Sequence, residues 1–297
     1  MKFKIIQYMN PPPPIGGVTI SVKNLIESID CYAPNLVCNS LFEDSLFKRY
    51  DLGHVHATNK YKRLYQVLYL KLKCKKVIFT VHGVNLQNGM INRLCIKASD
   101  GVVFLNDKIM NYWSSRIEKP MIKLPTLFKE GYRHPKITKQ CNDELTLLLY
   151  ANSKAYKDGF EVYGVEFALA SLSKSNEKFK VIVVDVSAEY KDVIQKYHDE
   201  MRIEYYPNAI DFNSILQLSD IYLRPTSMDG SSLAVQEALM SGTRVIASNV
   251  VDRESEVILY EFLDEDDFLK KIFSSEKIQS EFSLKSVSLY LDFIEKI

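Results

Sequence analysis

Along most of the chain, short apolar runs alternate with segments whose apolar residues recur at helical spacing, and no other feature limits the fold as strongly. Such alternation marks βαβ units, which build parallel sheets with helices on both faces. In the first half it predicts strands at 4–9, 36–38, 54–57, 76–81, 101–105 and 121–124, with helices filling most of the gaps. In the second half it predicts strands at 145–150, 181–184, 203–205, 221–223 and 245–247, and helices at 162–173, 188–200, 212–218 and 233–240. Between them lies the stretch from Lys129 to Asn142, polar, interrupted by Pro135 and without periodic apolar residues, which reads as a linker. A length of 297 residues also exceeds one usual core. The expected organisation is α/β, with two Rossmann-like doubly wound domains at 1–135 and 143–280 facing across a cleft, and a helix in 281–297 returning to the first domain.

Charge divides along the same line. Residues 1–140 hold 22 Lys and Arg against 9 Asp and Glu, residues 141–297 hold 16 against 28, and the net charge is +1. A basic half suits anionic lipid or a phosphorylated acceptor, or helps the two halves dock, while the acidic half argues against nucleic acid as a partner. From Lys60 to Lys76, seven basic residues surround Tyr65, Leu68, Tyr69 and Leu72. That pattern fits a basic amphipathic helix resting on an anionic membrane surface, and equally a core-packed helix with solvated lysines. No apolar run approaches the ~20 residues of a membrane span, and the N-terminus lacks a signal-peptide cleavage pattern. A cytoplasmic chain, peripheral at most on the inner face of the membrane, is therefore expected. Five scattered cysteines without a CxxC pair suggest neither a disulfide framework nor a metal site.

Chemistry-bearing residues gather after predicted strands. Behind the first strand come Pro11 to Pro14, then Gly16 and Gly17 at the start of a helix. Glycines there let backbone amides approach a diphosphate or a charged acceptor, although a stiff polyproline spacer with an ordinary turn reads the same way. His82 follows the strand at 76–81, where an imidazole can bind a sugar hydroxyl or stabilise developing charge, its ordinary pKa lying near the working pH. His54 and His56, on an earlier strand, read as core or rim residues. Lys154 and Lys157 lie in a short loop after the strand at 145–150, placed to neutralise a leaving diphosphate unless they are merely solvated. The most specific segment runs from Ser219 to Ser248. In it Asp229, Gly230, Ser231, Ser232 and Leu233 open a helix, and Glu237 lies eight positions after Asp229. Amides of Gly230 to Leu233 can hold phosphate oxygens, and the two carboxylates can accept hydrogen bonds from the sugar and ribose hydroxyls of a donor. An ordinary N-cap and a solvent-facing glutamate are the plainer alternatives.

That last segment resembles the retaining glycosyltransferases of the GT-B fold, specifically family 4, the group 1 glycosyl transferases. Their Glu-x7-Glu spacing stands here as Asp229-x7-Glu237, followed by Ala238 to Ile246. The glycine turn at Gly16 and Gly17, the run Thr80 to Gly83, and a lysine ahead of Gly159 fall in the same order, so the likeness covers nearly the whole chain. The resemblance implies that Glu237 holds the donor ribose, Asp229 the sugar hydroxyls, and Lys154 or Lys157 the diphosphate, with His82 near the reacting centre. It also implies transfer with retention, no metal or other cofactor, a nucleotide-sugar donor, and a glycan or lipid-linked acceptor in O-antigen or capsule synthesis. Two departures stand out: Asp229 is one methylene shorter than the family glutamate, and the usual Lys-Gly pair is Lys157, Asp158, Gly159. They keep open an alternative, a catalytically inactive sugar-nucleotide or glycan-binding relative. A Rossmann-type oxidoreductase or epimerase is the weaker reading, since no GxGxxG follows the first strand.

Overall fold

A computed structural model of the chain describes residues 3–8, 17–33, 36–40, 47–57, 59–82, 89–125, 144–208, 210–274 and 286–297. Gly16, Gly83 and the predicted linker at 129–142 lie outside the described residues. The chain forms two compact units, one comprising Met1–Gly131, Gly230–Leu233 and Ser283–Ile297, the other Tyr132–Asp229 and Ala234–Phe282. The contiguous second domain expected at 143–280 thus differs from the structure, where the turn Gly230–Leu233 packs with the first unit.

The first unit is laid out by alternating apolar residues. Its elements are β1 (Phe3–Tyr8), α1 (Gly17–Tyr32), β2 (Leu36–Ser40), β3 (Tyr50–Val55), α2 (Lys60–Lys73), β4 (Cys74–Val81), α3 (Gly89–Ala98), β5 (Gly101–Phe104), α4 (Asp107–Ser114) and β6 (Met121–Lys123). All pairings are parallel, in the order β2-β1-β3-β4-β5-β6. Consecutive residues in a strand face opposite sides. So Ile6, Val77, Phe79, Val102 and Phe104 bury into one core with Val67 of α2, Ile96 of α3 and Trp113 of α4. Ile5, Ile78 and Val103 bury into the other with Leu25 and Ile29 of α1. The basic segment beginning at Lys60 is helical only to Lys73; Lys75 and Lys76 already belong to β4.

The second unit repeats the plan with a different winding. Its elements are β7 (Leu145–Ala151), β8 (Tyr156–Lys157), β9 (Phe160–Glu161), α5 (Val165–Leu172), β10 (Phe179–Asp185), α6 (Lys191–Tyr197), β11 (Arg202–Pro207), α7 (Phe212–Leu218), β12 (Ile221–Arg224), α8 (Leu233–Met240), β13 (Arg244–Ser248), β14 (Ile258–Tyr260) and α9 (Glu265–Phe273). The parallel sheet runs β11-β10-β7-β12-β13-β14. Leu147, Leu149, Val181 and Val183 face one core, and Leu148, Ile182 and Val184 face the other. The last helix, α10 (Ser286–Glu295), returns to the first unit, where Tyr290 and Phe293 complete the core beside α1.

These strand orders locate the sites. In the first sheet, successive connections leave β1 in opposite directions between β1 and β3; in the second they do so between β7 and β12. Open α/β sheets bind ligands beyond the carboxyl ends of the strands at that reversal.

Candidate functional site

In the first unit, a cavity of ≈ 340 Å³ opens at the carboxyl end of β3 and β4, next to the reversal. Gly17 and Val18, the first residues of α1, line it together with His54, His56, Thr80, His82, Gly230 and Ser231. Leu233 also lines it, and Asn106 Nδ2 donates to the Gly230 carbonyl at 3.3 Å, fixing that turn. A Cβ built on Gly17 meets nothing within 4 Å, and one on Gly230 makes only an ordinary contact with Leu105. Packing therefore does not demand either glycine, and the missing side chains let a ligand approach the chain closely. The amino end of α1, a 16-residue helix, adds positive potential to the same cavity.

Behind the cavity lies a polar network. His54 Nε2 bonds Thr80 Oγ1 at 2.7 Å and its Nδ1 the Tyr290 hydroxyl at 3.2 Å, while His56 Nε2 bonds Gln7 Oε1 at 2.8 Å. Gln7 Nε2 in turn donates to the Tyr290 hydroxyl at 3.1 Å. His82 stands at the edge of this set, its ring 5.8 Å from that of His56, and its Nε2 has no hydrogen-bond partner among the described residues. Burial pushes the His82 ring down to about 4 and His54 to about 3. This corrects the expectation of a histidine titrating near neutrality: His82 is a neutral imidazole, able to donate or accept one hydrogen bond per nitrogen. The sequence signal for the wider set is the His-x-His spacing, since residues two apart in a strand share a face. His54 and His56 are buried, as expected, and line the cavity as well.

In the second unit the polar side chains meet at the carboxyl ends of β7 and β12. Arg224 closes β12 and binds Asp229 through both forks, Nε to Oδ2 at 3.0 Å and Nη2 to Oδ1 at 3.3 Å. Arg253 Nη2 donates to the same Oδ2 at 3.0 Å, and the Asp229 side chain is 9% exposed. Burial opposes ionisation there, yet the two guanidiniums outweigh it and hold the Asp229 carboxyl well below the usual carboxylate range. Asp229, read from the sequence as a ligand for sugar hydroxyls, thus has its carboxylate turned inward to two arginines. Neither arginine is legible from spacing, because Arg224 ends a strand and Arg253 lies 24 residues beyond Asp229.

Glu237 is the contrasting carboxylate. It lies on the second turn of α8, and among the described residues its carboxylate has no hydrogen-bond or ion-pair partner. Burial, with the nearby Asp211 carboxylate adding, pushes it up to about 7. Its field, with that of Tyr163, helps raise the half-buried Tyr150 phenol at the end of β7, an effect led by burial.

The two lysines separate. Lys154 Nζ pairs with Glu166 Oε1 at 2.7 Å, so its charge is already balanced. Lys157 ends β8, one arm of a hairpin whose turn residues Asp158 and Gly159 both have positive φ, 52° and 85°. That turn accounts for the interrupted Lys-Gly pair: Asp-Gly is the preferred sequence for a two-residue hairpin. Among the described residues Lys157 has no ion-pair partner. The structure therefore gathers Gly17, His82, Gly230, Ser231 and Leu233 around one cavity, while Ser232, Lys154, Lys157, Asp229 and Glu237 do not line it. Among the described residues, no three His, Cys, Asp or Glu side chains are grouped to hold a metal ion.

Compared with protein-family models and with the sequences of characterised proteins, the chain matches none. Solved structures do match it. The lipopolysaccharide outer core galactosyltransferase WaaB in its apo form aligns at TM-score 0.71 and 13% identity over 99% of either chain. Sucrose-phosphate synthase from Thermosynechococcus elongatus aligns at 0.72 and 14% over 99% of this chain and 98% of its own. HepE from Anabaena, solved in complex with UDP, aligns at 0.64 and 11% over 91% and 89%. At such identities the likeness is one of fold, and the fold of this chain is the two-sheet α/β architecture of GT-B glycosyltransferases.

Proposed function

We propose that the chain is a metal-independent glycosyltransferase that moves a hexose, with retention, from a nucleotide-sugar to a glycan or lipid-linked acceptor in surface polysaccharide synthesis. The observation that carries this reading is Glu237, a largely buried carboxylate that has no side-chain partner among the described residues and lies near the strand-order reversal where α/β sheets bind nucleotides. Burying an ionisable group unsatisfied is costly, and two ribose hydroxyls supply the donors it lacks. The amides of Gly230 to Leu233, with Gly17, take the diphosphate. The neutral His82 donates to a sugar hydroxyl near the reacting carbon, and the donor's own phosphate oxygen accepts the acceptor proton, so no protein nucleophile is needed. HepE has been solved with UDP-glucose as well as UDP, which supports a uridine diphosphate sugar as the donor class. The acceptor side belongs to a peripheral protein at the inner face of the membrane.

One observation favours a second reading. Asp229 is committed to Arg224 and Arg253, so one of the family's two donor carboxylates is occupied by protein. A sugar-nucleotide-binding protein without turnover fits that arrangement. A panel of nucleotide sugars tested by thermal shift and by donor hydrolysis separates the cases. A ligand at 100 times its Kd raises stability by about 2.7 kcal/mol. Stabilisation with hydrolysis supports the enzyme, stabilisation without hydrolysis or transfer supports the binding protein, and no stabilisation by any donor defeats both.

A further inference from the structure

The outer side of α2 is built against expectation. A helix packed on a sheet turns polar residues to water, and here the sheet-facing side is normal, with Val67 and Leu70 fully buried. On the opposite side Tyr61, Tyr65, Leu68 and Leu72 follow one another at spacings of four, three and four, which places them in a single stripe. They are 68%, 64%, 52% and 76% exposed. On α3, Met90 and Leu94 repeat the pattern at 77% and 41%. Among the described residues every other helix shows at most one exposed large apolar side chain, such as Ile20 on α1, Leu218 on α7 or Leu289 on α10.

The two helices are neighbours. They cover the same face of the first sheet, share one core, and are tied by Arg63 of α2 donating to Asn92 Oδ1 of α3. Their sides away from the sheet therefore form one surface. Basic residues flank it: Lys62 beside the α2 stripe, and Arg93 and Lys97 between and after the apolar residues of α3, all exposed. Next to α3 a second cavity of ≈ 550 Å³ is lined by Arg93, Lys97, Trp113, Arg116 and Lys119, with Glu118 as its one carboxylate. Two of its cations are fixed in place. Lys119 Nζ donates to the carbonyls of Lys97, at 2.6 Å, and Ser99, and the Arg116 guanidinium lies 4.3 Å from the Tyr112 ring centre.

We infer that the outer face of α2 and α3 docks on an anionic lipid bilayer, the apolar stripe entering the acyl boundary while Lys62, Arg93, Lys97 and the adjoining cationic cavity receive phosphate headgroups. Interfacial helices have this make-up, an apolar side flanked by Lys and Arg, with tyrosines suited to the boundary. Charge decides against a second copy as the occupant, because a symmetric pairing sets the same cations against themselves. The docking face shares no residue with the sugar site, so docking stands or falls apart from the transfer reading. No helix among the described residues is long and apolar enough to cross a membrane.

The test is co-sedimentation of the full chain with vesicles of phosphatidylcholine alone or mixed with phosphatidylglycerol. Binding is expected only to the mixed vesicles, with release as salt screens the headgroups. The double variant Leu68→Ser/Leu72→Ser and the double variant Arg93→Glu/Lys97→Glu should each weaken it by about tenfold or more. Unchanged melting temperatures show that these exposed changes leave the fold intact. Equal binding to both vesicle types, or variants that bind like the parent, overturn the inference. So does a dimer by light scattering that Leu72→Ser splits without any vesicle binding, which assigns the face to a second copy.

Discussion

Asp229 and Glu237 look alike in the sequence and end in opposite electrostatic states, so they make opposite predictions. Replacing Asp229 by Asn leaves Arg224 and Arg253 buried without a counter-charge, a loss that costs about 3 kcal/mol or more. Urea unfolding of Asp229→Asn should show it; a variant as stable as the parent would mean that Asp229 is held for ligand alone. Glu237 keeps its proton to about 7 in the folded chain against an ordinary 4.5, so the folded state binds more protons than the unfolded one in that interval. Its contribution to stability therefore falls as pH rises from about 4.5 to about 7. His54 and His82, pushed down by burial, slope the other way: stability is lost as pH drops below 6.5. The difference between parent and Glu237→Gln isolates the glutamate. Donor affinity should rise through pH 7 in the parent, as the ionised carboxylate gains its capacity to accept two hydroxyls, and should be weaker and flat in Glu237→Gln. A parent affinity independent of pH from 6 to 8 would remove Glu237 from the ribose. The spacing of the two carboxylates was legible in the sequence, but their environments were not, because Arg253 reaches Asp229 from a loop after β13.

The strands and helices that the sequence predicts all form, while three short strands and the nine-residue α9 escape. The eleven expected strands all form, with ends shifted by a few residues. β8 and β9 have two residues each and β14 three, too few to display an alternation. For β8 and β9 the signal was the Asp158-Gly159 pair that joins them. α9 had a signal too, Asp264 capping Asp267 N at 2.9 Å ahead of three acidic residues in the first turn. Periodicity starts α5 at 162, whereas the helix begins at Val165, because Glu161 caps it from outside by accepting the amides of Val165 and Glu166 at 3.0 and 2.9 Å. Gly164 makes that entry, with φ +67° and an added Cβ only 1.9 Å from the Pro225 carbonyl oxygen. Gly164→Ala should therefore cost about 3 kcal/mol or more, and it should also displace the backbone that follows Arg224. Gly159→Ala is the control. It has positive φ but nothing within 4 Å, so thermal unfolding should register a loss of only about 1 kcal/mol.

For the whole molecule, the two-unit α/β plan follows from the count of alternations, while the winding does not. Local patterns do not tell whether the second strand of a unit lies left or right of the first, and here the two units differ: their outer strands give 2-1-3-4-5-6 in one and 3-2-1-4-5-6 in the other. The last helix, expected to return to the first domain, completes its core. Val287, Tyr290 and Phe293 are buried there, the Tyr290 hydroxyl bonds Gln7 and His54, and Ile297 packs against Gly101 at the start of β5. Burying each large apolar side chain contributes about 1.5–3 kcal/mol, so three of them approach the entire 5–15 kcal/mol that holds a typical domain folded. A chain ending at residue 282 should lose the first unit. Hydrogen exchange reads this directly: amides of β1, β3, β4 and β5 should lose protection, while those of β7, β10 and β12, whose cores contain no residue of α10, keep theirs. The cavity with His54 and His82 depends on the same helix through Tyr290, so Tyr290→Phe, which removes one hydroxyl and keeps the ring, should spare most of the protection and loosen only His54 and Gln7. Parental protection of the first sheet in the truncated chain would show that its core closes without α10.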